Sequence, residues 1–131
     1  MSTFHFKEFS VNQLNASMKV GTDAMLLGAL IDASGKNTAL DIGTGTGVLS
    51  LMVAQKNPQL QIEAVDIDEI NVELASTNFQ SSRFSSSLKV KQVDFLEMNE
   101  AYAMCCHASE EVDEKGSVYK IASRAEDTIE L

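Results

Sequence analysis

The architecture of this chain follows from one segment, Thr38-Ala-Leu-Asp-Ile-Gly-Thr-Gly-Thr-Gly-Val-Leu-Ser50. Its first five residues, Thr38 to Ile42, are a short apolar run that predicts a buried strand. Three alternating glycines follow as a tight loop, and the apolar residues after them predict a helix to about Asn57. A strand, a glycine loop and a helix in this order place backbone N–H groups at a helix N-terminus, where a ligand can approach closely.

The spacing of the glycines separates three kinds of ligand-binding loop. A phosphate loop of nucleoside triphosphatases needs Lys and Ser or Thr directly after its last glycine, but two apolar residues follow Gly47. A dinucleotide-binding loop needs Gly or Ala five residues after its first glycine. That position is Val48 or Ser50, depending on which glycine is counted as the first. The phosphate loop and the dinucleotide-binding loop therefore both fit poorly. Because dehydrogenases use the second of these loops, a dehydrogenase is disfavoured.

The pattern that remains is Asp-x-Gly-x-Gly-x-Gly, formed by Asp41, Gly43, Gly45 and Gly47. A carboxylate at the end of the strand can accept from a ligand ammonium, which suits an amino-acid moiety better than a pyrophosphate. We therefore expect the ligand to be S-adenosyl-L-methionine. A plain strand-to-helix turn is the alternative, but three alternating glycines cost backbone entropy without a packing benefit that the sequence reveals.

Two further predicted strands end in acidic residues. The strand 60–65 ends in Asp66, nineteen residues after Gly47, and an acid at this spacing can bind both ribose hydroxyls. The strand 88–93 ends in Asp94, whose carboxylate can bond an adenine amino group while Phe95 packs on the ring. The alternative for this pair is a solvated aspartate beside a core phenylalanine.

Capping residues mark the helices. Asp68 is expected to be the N-cap of a helix that runs to about Asn78. Thr22 is expected to cap an earlier helix, whose apolar positions include Leu26 and Leu30. Gly35 is expected to end that helix.

Composition predicts one modest domain of 131 residues. No run approaches the roughly 18 apolar residues of a membrane span, and the first residues do not resemble a signal peptide. The two cysteines, Cys105 and Cys106, are neighbours and form no disulfide framework, which fits a reducing cytoplasm. With His107 they lack the spaced ligand pairs of a metal site, so no metal is expected.

Five motifs together resemble the bacterial tRNA1(Val) adenine-N6 methyltransferases, a family of class I S-adenosylmethionine-dependent enzymes. The resemblance covers about residues 4–95, and the second motif is the most discriminating. The motifs are Phe6-x-x-Phe9-x-Val11, Met18-Lys-Val-Gly-Thr-Asp23, Leu26-Leu-Gly-Ala29, Leu40-Asp-Ile-Gly-Thr-Gly-Thr-Gly47 and Ala64-Val-Asp-Ile-Asp68.

The resemblance implies an α/β fold, a partial Rossmann-like class I methyltransferase sheet with helices on both faces. It implies transfer of a methyl group to N6 of an adenine next to the anticodon of a tRNA. The implied cofactor site takes the methionyl end at Asp41 and the three glycines, the ribose at Asp66 beside Ile67, and the adenine at Asp94 and Phe95. Lys19, Thr22 and Asp23 would lie beside the methionyl group and shape the target pocket.

The sequence departs from this family after residue 96. Members continue into a fourth strand that ends in Asn-Pro-Pro-Tyr or Asn-Pro-Pro-Phe, where the asparagine accepts from the target amine and the aromatic ring stacks on the flipped adenine. Pro58 is the only proline here and stands in Asn-Pro-Gln, so no catalytic residue is assigned. Residues 97–131 hold nine of the 19 acidic residues but three of the ten basic ones, which suits RNA poorly. We therefore expect a cofactor-binding half with an N-terminal cap segment over 1–96, and a divergent acidic tail over 97–131 in a shortened chain.

A sheet that stops after three strands would leave Thr38 to Ile42 as an exposed apolar edge. The alternating run Val118 to Ala122 is expected to pair there as a replacement strand, reached through a helix over Tyr102 to Ala108. Two other functions stay open at this stage. One is a glutamine methyltransferase acting on protein, and the other is a shortened domain that binds cofactor or a partner without turnover.

Overall fold

The computed structural model describes residues 2–95 and the backbone of residues 128–130. This part of the chain has six strands and three helices, which alternate from the first helix to the fifth strand, and one turn of 3₁₀ helix at Ser85–Ser87. In order, they are β1 (Thr3–His5), β2 (Ser10–Asn12), α1 (Thr22–Leu30), β3 (Thr38–Ile42), α2 (Val48–Lys56), β4 (Gln61–Asp66), α3 (Glu69–Gln80), β5 (Leu88–Gln92) and β6 (Thr128–Glu130).

The main sheet has four parallel strands in the order β5-β4-β3-β6. The three strands predicted around the acidic residues are confirmed, with small shifts at their ends. In the register of the sheet, Asp41 lies opposite Ala64, and Asp66 lies opposite Gln92. Parallel strands all end at the same edge, so the acidic ends of β3, β4 and β5 lie side by side.

The edge of β3 that the sequence left open is covered by β6. Thr128 pairs with Thr38 and Glu130 with Leu40, in parallel. The prediction that Val118 to Ala122 takes this position is therefore wrong, because another segment occupies it. A three-residue strand is too short to show a periodicity, whereas the longer run 118–122 does. Val118 to Ala122 and the predicted helix Tyr102 to Ala108 lie outside the described residues.

One hydrophobic core joins the three helices to a single face of the sheet. Ala39, Ile62 and Leu88 are among the core residues on the strands. Leu51 and Phe79 are among those on the helices that pack on the sheet. Leu40 and Val65, which alternation directs to the other face, are also buried. The predicted covering of both faces by helices is thus seen on one face of the described part and stays a prediction for the other.

The opening segment forms a hairpin whose aromatic rings pack on one another. The ring centroids of Phe6 and Phe9 are 4.5 Å apart, and those of Phe4 and Phe6 are 5.0 Å apart. Val11 is fully buried in the core, so the hairpin packs on the helical layer. The role of a cap segment stays a prediction. His5 is exposed, and its Nδ1 lies 2.9 Å from Ser10 Oγ.

The helix ends agree with the sequence at one site and differ at two. Asp68 is the N-cap of α3, and its side chain accepts from the N–H of Ile70. Thr22 is not the N-cap of α1, because Gly21 holds that position and no side chain caps it. Gly35 does not end α1, which stops at Leu30. Gly35 instead has φ 67° in the turn that leads to β3. Over the described residues, α1 to α3 are each too short to cross a bilayer.

Candidate functional site

Three strand ends converge at one edge of the sheet. The N–H of Val93 donates to the carbonyl of Asp66 at 2.9 Å, and the side chain of Gln92 donates to the carbonyl of Ile67 at 3.2 Å. The end of β5 is thus fastened to the end of β4. Asp94 and Phe95 follow directly and are both half-buried. Asp41, Asp66 and Asp94 therefore lie on one side of the molecule, as one shared ligand requires.

The backbone N–H groups of the glycine loop are occupied inside the protein. Those of Gly43 and Thr44 both donate to the carbonyl of Val65, at 2.8 and 3.1 Å. That of Gly45 donates to Asp66, and that of Gly47 donates to the carbonyl of Thr44. These four N–H groups therefore do not point at a ligand in this structure, because the loop folds back on the end of β4. That a ligand approaches the N–H groups at the start of α2 stays a prediction.

The glycines themselves nevertheless leave room for close approach. Gly43 and Gly45 have φ of 72° and 57°, and a Cβ built on either would have no neighbouring atom within 4 Å. A ligand can therefore lie directly against this backbone. Gly47 differs, because a Cβ there would come within 2.5 Å of the Phe79 ring. The expectation that the glycines bring no packing benefit is thus wrong at Gly47, which lets α3 pack against the loop.

Asp41 is a structural anchor of the loop. The residue is 2% exposed, and its Oδ2 accepts from the hydroxyls of Thr44 at 2.7 Å and Ser50 at 2.6 Å. Burial raises the pKa of the Asp41 carboxyl above its ordinary value, and the hydroxyl bonds oppose this shift. The expected contact with a ligand ammonium stays a prediction; what the structure places on this carboxylate is the start of α2.

Asp66 joins three elements through one carboxylate. Its Oδ2 accepts from the N–H of Gly45 at 2.8 Å, and its Oδ1 accepts from the N–H of Asp68 at 3.0 Å. The amide of Asn71 lies 3.4 Å from both oxygens. A carboxylate offers about four lone-pair positions, and the two short bonds occupy two of them. Ribose hydroxyls would share the other two with the long 3.4 Å contacts of Asn71. Its neighbour Ile67 is exposed and lies beside the proposed ribose position.

Two buried asparagines on α3 are functional candidates that the sequence did not indicate. Asn78 bonds both the backbone of Asn12 and the carbonyl of Thr46 in the glycine loop. Asn71 lies between Asp66 and Ser17. Amide side chains in a helix are usually surface residues. Apart from Asp66, which is five positions from Asn71, the partners of these two are 32 to 66 positions away. No local pattern could therefore have identified them.

The segment predicted to shape the target pocket borders this edge of the sheet. Lys19, Thr22 and Asp23 are exposed at the start of α1. Two hydrogen bonds fix the segment that precedes α1. Ser17 Oγ donates to Asp68 Oδ2 at 3.0 Å, and the N–H of Val20 donates to Gln13 Oε1 at 2.9 Å. The roles of the three exposed residues toward a substrate stay predictions.

Residues 2–95 also form a concavity outside the candidate site, but no cluster of metal ligands. A concavity of about 480 Å³ lies at the opposite edge of the sheet, between the ends of α1 and α2. Its one ammonium, that of Lys56, donates to the carbonyls of Ala29 and Ile31. Within residues 2–95, His, Cys, Asp and Glu form no cluster of three that could hold a metal ion.

Residues 9–106 match the model of the methyltransferase small domain. Over 95 residues, the chain is 43% identical to a tRNA1(Val) (adenine(37)-N6)-methyltransferase of Flavobacteriaceae bacterium strain 3519-10, which covers 72% of this chain and 41% of that protein. Over 96 residues, it is 48% identical to the protein of the same name from Vibrio vulnificus strain YJ016, covering 73% and 40%. The chain thus spans about two-fifths of the length of these curated relatives.

Among solved structures, the chain resembles P. horikoshii TYW2 in complex with MeSAdo, with a TM-score of 0.60 and 15% identity. The match covers 70% of this chain and 35% of that one. At this identity the likeness concerns the fold alone.

Proposed function

This chain belongs to the methyltransferase small domain family, and on that premise we propose that it binds S-adenosyl-L-methionine and serves methyl transfer to N6 of an adenine in tRNA. The observation that carries the proposal is the junction of the glycine loop with Asp66. Open backbone at Gly43 and Gly45 lies beside a carboxylate that has short bonds on only two of its about four lone-pair positions. The relatives' printed names supply the adenine and the tRNA.

The cofactor's parts match the chemistry of the three strand ends. Its two ribose hydroxyls are donors, and Asp66 is an acceptor at the end of strand β4. Its adenine amino group is a donor, and Asp94 with Phe95 follows β5. Its ammonium and sulfonium are cationic, and the buried carboxylates of Asp41 and Asp66 give this edge a negative field. The cofactor supplies the activated methyl group, and the protein's share is to orient it.

The substrate side is the exposed segment with Lys19, Thr22 and Asp23. The target amine needs acceptors for its protons and a fixed direction toward the methyl group, which is positioning more than acid–base catalysis. Base flipping would bring an adenine out of a tRNA loop to this edge. The 131 residues contain no Asn-Pro-Pro, the motif assigned to that step by resemblance, so binding without turnover is the second candidate function.

Two measurements test the proposal on the full chain. Isothermal titration calorimetry with S-adenosyl-L-methionine is expected to give saturable 1:1 binding, with NAD as the control that should not bind. Labelled S-adenosyl-L-methionine is then incubated with tRNA that lacks the N6 modification. Incorporation at an adenine N6 supports the enzyme, whereas binding without incorporation supports the second candidate. Absence of cofactor binding would overturn both.

A further inference from the structure

Helix α3 presents two buried asparagines on one side. Asn71 and Asn78 are seven residues apart, which is about two helical turns, so they project from the same face. They are 7% and 3% exposed. Each bonds the N-terminal segment on one side and the proposed cofactor site on the other, where Asn78 meets the glycine loop and Asn71 meets Asp66. The proposed function gives neither of them a role.

Asn78 uses every hydrogen bond that its amide can donate. Its Oδ1 accepts from the N–H of Asn12 at 2.8 Å, and its Nδ2 donates to the carbonyl of Asn12 at 2.9 Å. The second proton of Nδ2 goes to the carbonyl of Thr46 at 2.8 Å. One side chain thus pairs with the end of β2 as a strand would, and holds the glycine loop at the same time.

Asn71 makes a second, looser link of the same kind. Its Nδ2 lies 3.4 Å from both oxygens of Asp66, and its Oδ1 lies 3.5 Å from the N–H and 3.4 Å from the hydroxyl of Ser17. These distances are at the long limit of hydrogen bonding, so the contacts have room to shorten. Ser17 is followed directly by the exposed residues 18–23.

We propose that Asn71 and Asn78 are positioning residues that make residues 12–22 part of the cofactor site. The inference rests on the proposed function. A cofactor that fixes Asp66 and the glycine loop also fixes the acceptors of the two amides, and through them the backbone at Asn12 and Ser17. Cofactor binding therefore orders the segment that carries Lys19 and Thr22, and by reciprocity that segment strengthens cofactor binding.

Amide hydrogen exchange with and without S-adenosyl-L-methionine tests this on the full chain. In the unaltered protein, the cofactor is expected to slow exchange at Asn12 and Ser17 by about fivefold or more, the lower end of typical coupling between sites. Asn78→Ala is expected to bind the cofactor about fivefold more weakly or worse and to lose the slowing at Asn12. Asn71→Ala is the second variant, expected to lose the slowing at Ser17, and circular dichroism checks that both fold.

Asn57 offers a matched control at the opposite edge of the sheet. Its Nδ2 likewise donates to two backbone carbonyls, of Ala33 at 3.0 Å and Lys36 at 3.2 Å. Asn57→Ala should keep both the affinity and the slowing. Cofactor binding with unchanged exchange at Asn12 and Ser17 would overturn this inference and leave the proposed function intact. An equal loss of affinity in Asn57→Ala would also overturn it, whereas no binding by the unaltered chain refutes the proposed function itself.

Discussion

The backbone N–H of Gly45 donates to Oδ2 of Asp66 at 2.8 Å, which fastens the glycine loop after β3 to the end of β4. The other oxygen of the same carboxylate accepts from the N–H of Asp68, the residue that caps α3. A group proposed to bind the ribose therefore also sets the shape of the site before any ligand arrives. A substitution of Asp66 should therefore weaken cofactor binding and lower the free energy of unfolding together.

Replacing Asp66 by Asn tests that double role. The amide keeps the shape but has one acceptor atom, so one of the two N–H donors would face an NH₂ group. We expect cofactor affinity to fall at least tenfold and the free energy of unfolding to fall by about 1–3 kcal/mol, the cost of a buried unsatisfied donor. Calorimetry and urea unfolding measure the two effects.

Glu63→Gln is the matched control, since it removes an acid from the same strand. Glu63 is half-buried and pairs with Lys91 at 3.1 Å, an exposed ion pair worth at most about 1 kcal/mol. Its replacement should leave cofactor affinity unchanged. Wild-type affinity in Asp66→Asn would remove this residue from the ribose subsite.

Gly47→Ala is expected to be the most damaging single change in the loop. A left-handed φ of 82° costs an L-residue about 1–2 kcal/mol, and the new Cβ would overlap the Phe79 ring for about 1–3 kcal/mol more. Gly43→Ala has the same kind of φ without a neighbouring atom, so it should show only the first cost. Urea unfolding of both variants gives the difference, and equal losses would show that Phe79 moves aside.

The sequence predicted the strand ends because their pattern is local. An apolar run followed by an acid marks where a strand stops, and parallel strands bring such ends together. The sequence predicted helix α1 but not its packed face, because the large residues Leu26 and Leu30 are exposed. That helix packs through Gly28, where an added Cβ would meet the side chain of Met52. Ala24 and Leu27 also pack on the core from this helix. Because leucines stand at both exposed and packed positions, the apolar pattern did not single out the packed face.

The positions of the acidic residues at the strand ends could be predicted from the sequence, but the hydrogen bonds that hold them could not. Their roles toward a cofactor stay predictions. The distance of Asp66 from the glycines indicated its position, but its bond to Gly45 depends on how the loop folds back. Asn71 and Asn78 gave no indication at all, because burial of an amide depends on partners supplied by distant segments. Contacts across 54 and 66 residues are set by the tertiary fold.

Lys56→Met should lower stability without touching the site. Its ammonium donates to the carbonyls of Ala29 at 2.6 Å and Ile31 at 2.8 Å, at the C-terminal end of α1. A cation there satisfies carbonyls that lack helical partners and complements the helix dipole. Because the side chain is exposed, we expect a loss of about 1 kcal/mol in urea unfolding and unchanged cofactor affinity. A tenfold weaker affinity would mean that the two edges of the sheet are coupled.

Asp41 should leave a signature in the pH dependence of stability. Burial raises the pKa of its carboxyl above the ordinary value of 3.8, so the native state holds this proton at a pH where the unfolded chain has released it. Its contribution to stability is therefore fully present below pH 3.8 and is lost as the pH rises through the folded pKa. Asp41→Asn does not titrate, so its unfolding free energy should increase relative to wild type across that window.

Urea unfolding of wild type and Asp41→Asn at a series of pH values measures this difference, in which all other carboxyl groups cancel. Asp32→Asn is the control of opposite sign. Hydrogen bonds from Ser34 lower the pKa of the exposed Asp32 carboxyl, so wild type gains stability there as the pH rises toward and above 3.8. The two differences should run in opposite directions. A flat or falling difference for Asp41→Asn would mean that the Thr44 and Ser50 hydroxyls fully offset the burial of the charge.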